Sequence, residues 1–299
     1  MHDDLKSGIL DGVQDEKRRA MIGASALGVA ALALNGRLVG AQPETGVAPE
    51  AGTGEAAQGD LIEREITYRS GEDNIKAFYA EPNLKPKAAI IIIHEIFGLN
   101  AHIRDVARRF ARQGYATLAP DLYTREGAPN LDVNDRATMM KFIANLSDVR
   151  VVGDLEAAIG YLNGHGFARV GSMGFCMGGL YSYLLATKSE NLQAAATFYG
   201  RITYGEKTAN KPDSPVDLAP ALKCPLLSHF GETDASIPLS DIKKLRENLA
   251  QSTQPWKVNV YPGAGHAFFN DTRPSFNAAA AADAGTETLR FFKKNLQDT

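Results

Sequence analysis

Residues 168–188, "ARVGSMGFCMGGLYSYLLATK", contain the turn on which the fold is read. "ARVGSMGF" is a short apolar run of strand type, and "GGLYSYLLATK" has the length and composition of a buried helix. Cys176 sits between them, with Gly174 before it and Gly178-Gly179 after it. A strand that turns sharply into a helix tolerates only small neighbours. The spacing is that of G-x-S-x-G, with a cysteine in the serine's place. Unpaired N–H groups at a helix start favour a thiolate there. A buried structural cysteine in a Gly-rich turn has the same local sequence, so the reading depends on partners elsewhere in the chain.

Outward from this turn the chain alternates between two periods. "AAIIIIHE" (88–95) is a continuous apolar run, suited to a strand buried on both faces. "YATLAPDLY", "LQAAATFYG", "CPLLSHFGETD" and "WKVNVYPGAGH" are further strands with loops at their ends. Helical patterns lie between them: Ala101 to Gln113 (ended by Gly114), Asn134–Asn145, Asp148–Asn163, "LSDIKKLRENLAQ" and "AAADAGTETLRFFKKNLQ". "LIEREITYRS" and "NIKAFYAEP" read as a hairpin at a sheet edge. This order predicts an α/β domain over 60–299, with a mostly parallel central sheet and helices on both faces. Ligands in such sheets sit beyond the carboxyl ends of the strands.

Every polar motif falls just after a predicted strand. Asp234 follows "CPLLSHFGE" and His266 follows "WKVNVYPGAG", 58 and 32 residues apart in the order Cys, Asp, His. His266 is placed to take the thiol proton and later protonate a leaving group, with Asp234 fixing its tautomer. An oxyanion hole needs two backbone N–H groups. Met177, next to the cysteine, supplies one, and Ile96, in the loop after "AAIIIIHE", supplies the other. His94, His102 and His229 are too scattered for a metal site and read as core or rim histidines.

The motifs "HEIFGLN" (94–100), "APDLYTR" (119–125), "GFCMGG" (174–179), "FYG" (198–200), "GETD" (231–234) and "GAGHAF" (263–268) resemble the dienelactone hydrolases, or carboxymethylenebutenolidases, over about 66–296. The resemblance implies the α/β-hydrolase fold and cleavage of an ester or a dienelactone-like lactone through a thioester. It implies Cys176 as nucleophile, His266 as base and Asp234 as third member. Glu95 is implied as an acid contacting the cysteine and helping to form the thiolate when substrate binds. Arg125 is implied as the anchor of a substrate carboxylate, with Tyr123 and Tyr199 as pocket-lining candidates. One position departs: the family's second arginine, four residues after the histidine, is Asn270 here. Arg201 and Arg273 are the candidate replacements. Two other readings stay open, a broader carboxylesterase and an exported binding protein without turnover. The complete Cys, Asp and His set argues against the latter.

The 299 residues carry a net charge of −3 and a pI of about 6.1, without a basic stripe, so nucleic acid is not an expected partner. Two cysteines rule out a disulfide scaffold. A reactive Cys176 further requires that Cys176 and Cys224 remain unbridged. Acyl transfer needs no cofactor and no metal, and the expected partner is a small-molecule substrate bound by a monomer. Lys17-Arg18-Arg19, the apolar run Ala20–Leu34 and Val39-Gly40-Ala41 predict a twin-arginine-like export signal over 1–41, hence a periplasmic protein without a stable membrane partner after cleavage. A non-functional signal would leave it cytoplasmic. Residues 42–59, rich in Gly, Ala, Pro and Glu, read as a flexible linker.

Overall fold

The alternation of patterns becomes one eight-stranded sheet in the computed structural model, which describes residues 61–127 and 135–298, all within the unit Glu55–Thr299. The expected signal (1–41) and linker (42–59) lie outside the described residues. The strands are β1 (Leu61–Ser70), β2 (Asp73–Pro82), β3 (Ala89–Ile93), β4 (Ala116–Pro120), β5 (Val170–Phe175), β6 (Ala194–Phe198), β7 (Leu226–Gly231) and β8 (Trp256–Tyr261). Their order is β1-β2-β4-β3-β5-β6-β7-β8. β2 runs antiparallel to both β1 and β4, and all pairings from β4 to β8 are parallel. Strands β3 to β7 are buried along their whole length, as expected of a sheet covered on both faces. This is the α/β-hydrolase arrangement.

Among the described residues there are six α-helices: α1 (Ala101–Arg112), α2 (Arg136–Asn145), α3 (Asp148–Gly164), α4 (Met177–Lys188), α5 (Leu239–Leu249) and α6 (Ala278–Phe292). Alternation along β5 sorts two of them onto opposite faces. Ser172 Oγ lies 2.8 Å from Ser182 Oγ of α4. A Cβ on the preceding Gly171 would instead stand 2.9 Å from Phe292 of α6. Phe110 of α1 meets Phe292 edge-on at 6.4 Å, so α1 shares the α6 face. α3 packs beside α4. Asn100, Ser147 and Asn277 cap α1, α3 and α6 with their side chains, each accepting a backbone N–H of the first turn.

α4 starts differently. Its N-cap is Cys176, whose side chain makes no capping bond. The first turn of α4 is instead pressed against strand ends by missing side chains. A Cβ on Gly178 would lie 2.1 Å from Ile93 O, and one on Gly174 would lie 1.9 Å from Gly178 O. Glycine is therefore required at both positions, and the start of α4 abuts the loop leaving β3.

Overpacking against backbone costs roughly 1–3 kcal/mol or more, and each kcal/mol moves Tm by about 2–4 °C in a domain of this size. Gly178→Ala should lower the calorimetric Tm by at least several degrees. Gly160→Ala, at an exposed α3 position with nothing within 4 Å, should hold or raise it. Equal Tm changes for the two variants would contradict the close-approach account.

Candidate active site

Five loops leave the carboxyl ends of β3, β5, β6, β7 and β8, and carry Glu95, Cys176, Tyr199, Asp234 and His266. The parallel register aligns these ends: Ile93 is level with Gly174, Phe175 with Phe198, Phe198 with His229, and Gly231 with Tyr261. Residues far apart in sequence thus meet at one edge of the sheet. Cys176, Tyr199 and Ala267, beside His266, have φ of 53°, 41° and 60°, and no other non-glycine among the described residues has a positive φ. Each such conformation costs of order 1–3 kcal/mol and persists only where its surroundings over-determine it. All three line one cavity of about 660 Å³, a size suited to a small organic ligand.

His266 Nδ1 lies 2.7 Å from Asp234 Oδ2, and the Asp234 side chain is fully buried. Asp234 Oδ1 accepts the Ser236 N–H at 2.8 Å, which locks the carboxylate in place. The Cys176 thiol lies on the same cavity wall as the imidazole. Burial opposes an imidazolium here, but the Asp234 hydrogen bond and the nearby Asp234 and Cys176 charges prevail and push His266 up to about 10. The Cys176 N–H is held by Phe198 O at 3.0 Å. Neither the Met177 nor the Ile96 amide finds an acceptor among the described residues, and both residues line the cavity. Cys224 is a separate buried thiol, pushed up to about 12 by burial, and both cysteines are free.

Glu95 lines the cavity at 2% exposure, and its Oε2 accepts Asn270 Nδ2 at 2.8 Å. Asn270 Oδ1 in turn accepts the Thr272 N–H at 3.0 Å and its hydroxyl at 2.6 Å. Asn270 is therefore a buried tether for Glu95. Sequence marked this position only by its missing arginine. The Tyr199 hydroxyl is buried beside Glu95 without a hydrogen-bond partner, and its ionisation is suppressed, first by burial and then by the Glu95 and Cys176 charges.

Two expectations for substrate contacts need correction. Arg125 does not line the cavity. Its guanidinium is taken up by Asp154, at 2.7 Å, by Ser70 O, at 2.9 Å, and by Asp73. It bolts the β1–β2 turn region to α3, because a buried Asp154 carboxylate needs a cation more than a solvent-facing ligand does. Tyr123 also stays off the cavity wall. It is buried, and its hydroxyl donates to Ile96 O at 2.8 Å. Tyr199, Arg201 and Arg273 do line the cavity. Arg273 stacks 4.0 Å from the Phe97 ring centroid. Arg201 is exposed, and neither arginine has an ion-pair partner among the described residues. Sequence reading missed the α2 side of the cavity, with Met140 and Ile143, and its far end, where Lys211 Nζ meets Asp148 Oδ1 at 2.6 Å. An apolar stripe in the α2 pattern was the one available signal.

Two outcomes test this geometry. A hydrogen bond to a charged group contributes roughly 1.5–3 kcal/mol, and the Arg125–Asp154 pair is only partly buried, so Arg125→Met should cut stability to denaturant by about that margin while leaving KM unchanged. A large KM rise at intact stability would restore Arg125 to substrate binding. With its folded value raised from 6.5 to about 10, His266 contributes stability in full at the lower value and below, and loses it as pH climbs to the higher one. The Tm gap between wild type and His266→Gln should therefore shrink from pH 6 to pH 10. A pH-independent gap would refute the ion pair.

The sequence pattern of the dienelactone hydrolase family matches residues 75–296. A protein of Escherichia coli (strain K12) named "Putative carboxymethylenebutenolidase" is 40% identical over 227 residues, covering 74% of this chain and 83% of that protein. A Bradyrhizobium protein named "Probable 2-oxo-3-(5-oxofuran-2-ylidene)propanoate lactonase" is 32% identical over 231 residues, covering 76% and 92%. The crystal structure of a "Putative Dienelactone Hydrolase" from Klebsiella pneumoniae superposes with a TM-score of 0.74 at 36% identity, covering 78% of this chain and 99% of that one. Sequence pattern, relatives and fold agree: the chain belongs to the dienelactone hydrolase family and is a hydrolase of ester or lactone bonds.

Proposed function

We propose that the chain hydrolyses a lactone or ester by acyl transfer to Cys176. The observation that carries this reading is the Asp234–His266 hydrogen bond beside the Cys176 thiol on one cavity wall. In the first step the thiol proton, already held on His266, stays on the imidazole while Sγ bonds the carbonyl carbon and the carbonyl π pair moves onto oxygen. The N–H groups of Ile96 and Met177 receive that oxyanion. Its collapse breaks the carbon–oxygen bond, and His266 gives the proton to the departing alkoxide or enolate. In a lactone this opens the ring, so the leaving oxygen stays tethered to the thioester. Water, deprotonated by His266, then attacks the thioester and releases the carboxylic acid and the Cys176 sulfur. Glu95, held by Asn270, is the carboxylate available to take up charge changes at the thiol.

The wall composition supports a substrate with an apolar body and a carboxylate. Phe97, Met140, Ile143, Leu180 and Ile237 supply the apolar surface, and Arg201 and Arg273 are cations on the wall without the carboxylate partner that Lys211 has in Asp148. A second reading, a carboxylesterase for neutral esters, is favoured by one observation: Arg125 is occupied by Asp154 and absent from the wall. The monomer and periplasmic readings belong to this proposal on the strength of residues 1–41 and the composition alone.

A substrate panel separates the two readings. A charge-assisted hydrogen bond contributes about 1.5–3 kcal/mol, so Arg201→Ala or Arg273→Ala should raise KM for a carboxylated dienelactone by roughly 10-fold or more. Neither should change KM for a neutral aryl ester, and Cys176→Ala should abolish turnover of both. Unchanged lactone KM in both arginine variants, with preference for the neutral ester, would establish the second reading. Turnover surviving Cys176→Ala would end both.

A further inference from the structure

Two side chains off the cavity wall grip the peptide planes on either side of Ile96. His94, fully buried at the end of β3, places Nδ1 2.6 Å from Glu95 O. Its Nε2 lies 3.1 Å from the Leu122 backbone nitrogen. A backbone N–H only donates, so Nε2 accepts and the ring proton resides on Nδ1. The imidazole is thus neutral and held in one tautomer, which burial also favours. Glu95 O is therefore fixed by His94, and the Gly98 N–H reaches it as well at 3.3 Å. In a planar trans peptide the N–H points opposite the C=O. Fixing Glu95 O accordingly fixes the direction of the Ile96 N–H, away from His94.

Tyr123 secures the next plane. Its hydroxyl donates to Ile96 O at 2.8 Å and lies 3.6 Å from Met177 Sδ. Its ring stands edge-on to His94 at 5.0 Å and is braced by Phe142 at 4.9 Å. One aromatic pair therefore touches both residues whose N–H groups are free of acceptors at the cavity. Resting on the acyl-transfer reading above, we propose that His94 and Tyr123 are positioning residues that aim the oxyanion-binding N–H of Ile96 and hold it in register with that of Met177. Neither touches substrate. Each acts through the backbone it holds.

The test compares ester turnover with alkylation of Cys176 by iodoacetamide in His94→Leu, His94→Asn and Tyr123→Phe. Alkylation is a displacement at carbon by the same sulfur and forms no oxyanion. Losing one oxyanion donor costs about 10²–10³-fold in kcat, so kcat should fall by up to ~100-fold in His94→Leu and by about 10-fold in Tyr123→Phe. KM should stay near that of wild type, and alkylation rates should stay within about twofold. His94→Asn, which returns an N–H near Nδ1, should recover most of the lost kcat. Unchanged kcat in Tyr123→Phe, a substitution small enough to preserve the fold, would overturn the proposal. So would kcat and alkylation falling in parallel. If alkylating wild-type Cys176 leaves hydrolysis intact, the acyl-transfer reading itself falls and takes this proposal with it.

Discussion

The backbone of Cys176, at φ 53° and ψ −113°, is the constraint on which the site depends. A residue with a β-carbon resists this conformation. It is held because the chain has no other path: β5 ends level with β3 and β6, and α4 must begin at once. Gly174 and Gly178 make the turn physically possible by letting backbone meet backbone. The same tight passage pushes the cysteine side chain out of the sheet plane and leaves the first N–H of α4 without an acceptor. Strain, a nucleophile on the cavity wall and an unpaired donor are three consequences of one turn.

The rest of the site is arranged around that turn by buried polar bonds, not by apolar packing. Asp234 is locked by Ser236 and orients His266. Asn270 is locked by Thr272 and holds Glu95. His94 is locked by Leu122 and holds the Glu95 carbonyl. His266, the Glu95 carboxylate and the Glu95 carbonyl are thus each held by a neighbour that is itself hydrogen-bonded. Such chains suit a site that must keep geometry to a fraction of an ångström while its backbone is strained.

Much of the fold was legible because its signals are local. Short runs of strand type marked β3 to β8, helical spacing marked six helices, and the position of Cys, Asp and His after successive strands marked the site. What escaped sequence reading is long-range and directional. Arg125 lies in the right loop, but its partner Asp154 is 29 residues away in sequence, and nothing local says the guanidinium turns toward it. The family resemblance makes Tyr123 a pocket-lining candidate, whereas its hydroxyl points into the backbone of Ile96. Asn270 appeared in the sequence as a missing arginine. The fold turns it into a buried amide across 175 residues from Glu95. Residue type and strand-end position are encoded locally, but side-chain direction in a polar network is decided only when distant segments meet.

The central claim is that Cys176 itself carries the acyl group. The most direct measurement mixes the enzyme with an ester or lactone, quenches in acid within milliseconds, and reads the mass of the Cys176 peptide. The account predicts a transient adduct on that peptide, equal to the acyl part of an ester or to the whole of a lactone. It should be cleaved by hydroxylamine and decay at the turnover rate. Steady turnover with no adduct on Cys176, or an adduct on another side chain, would contradict it.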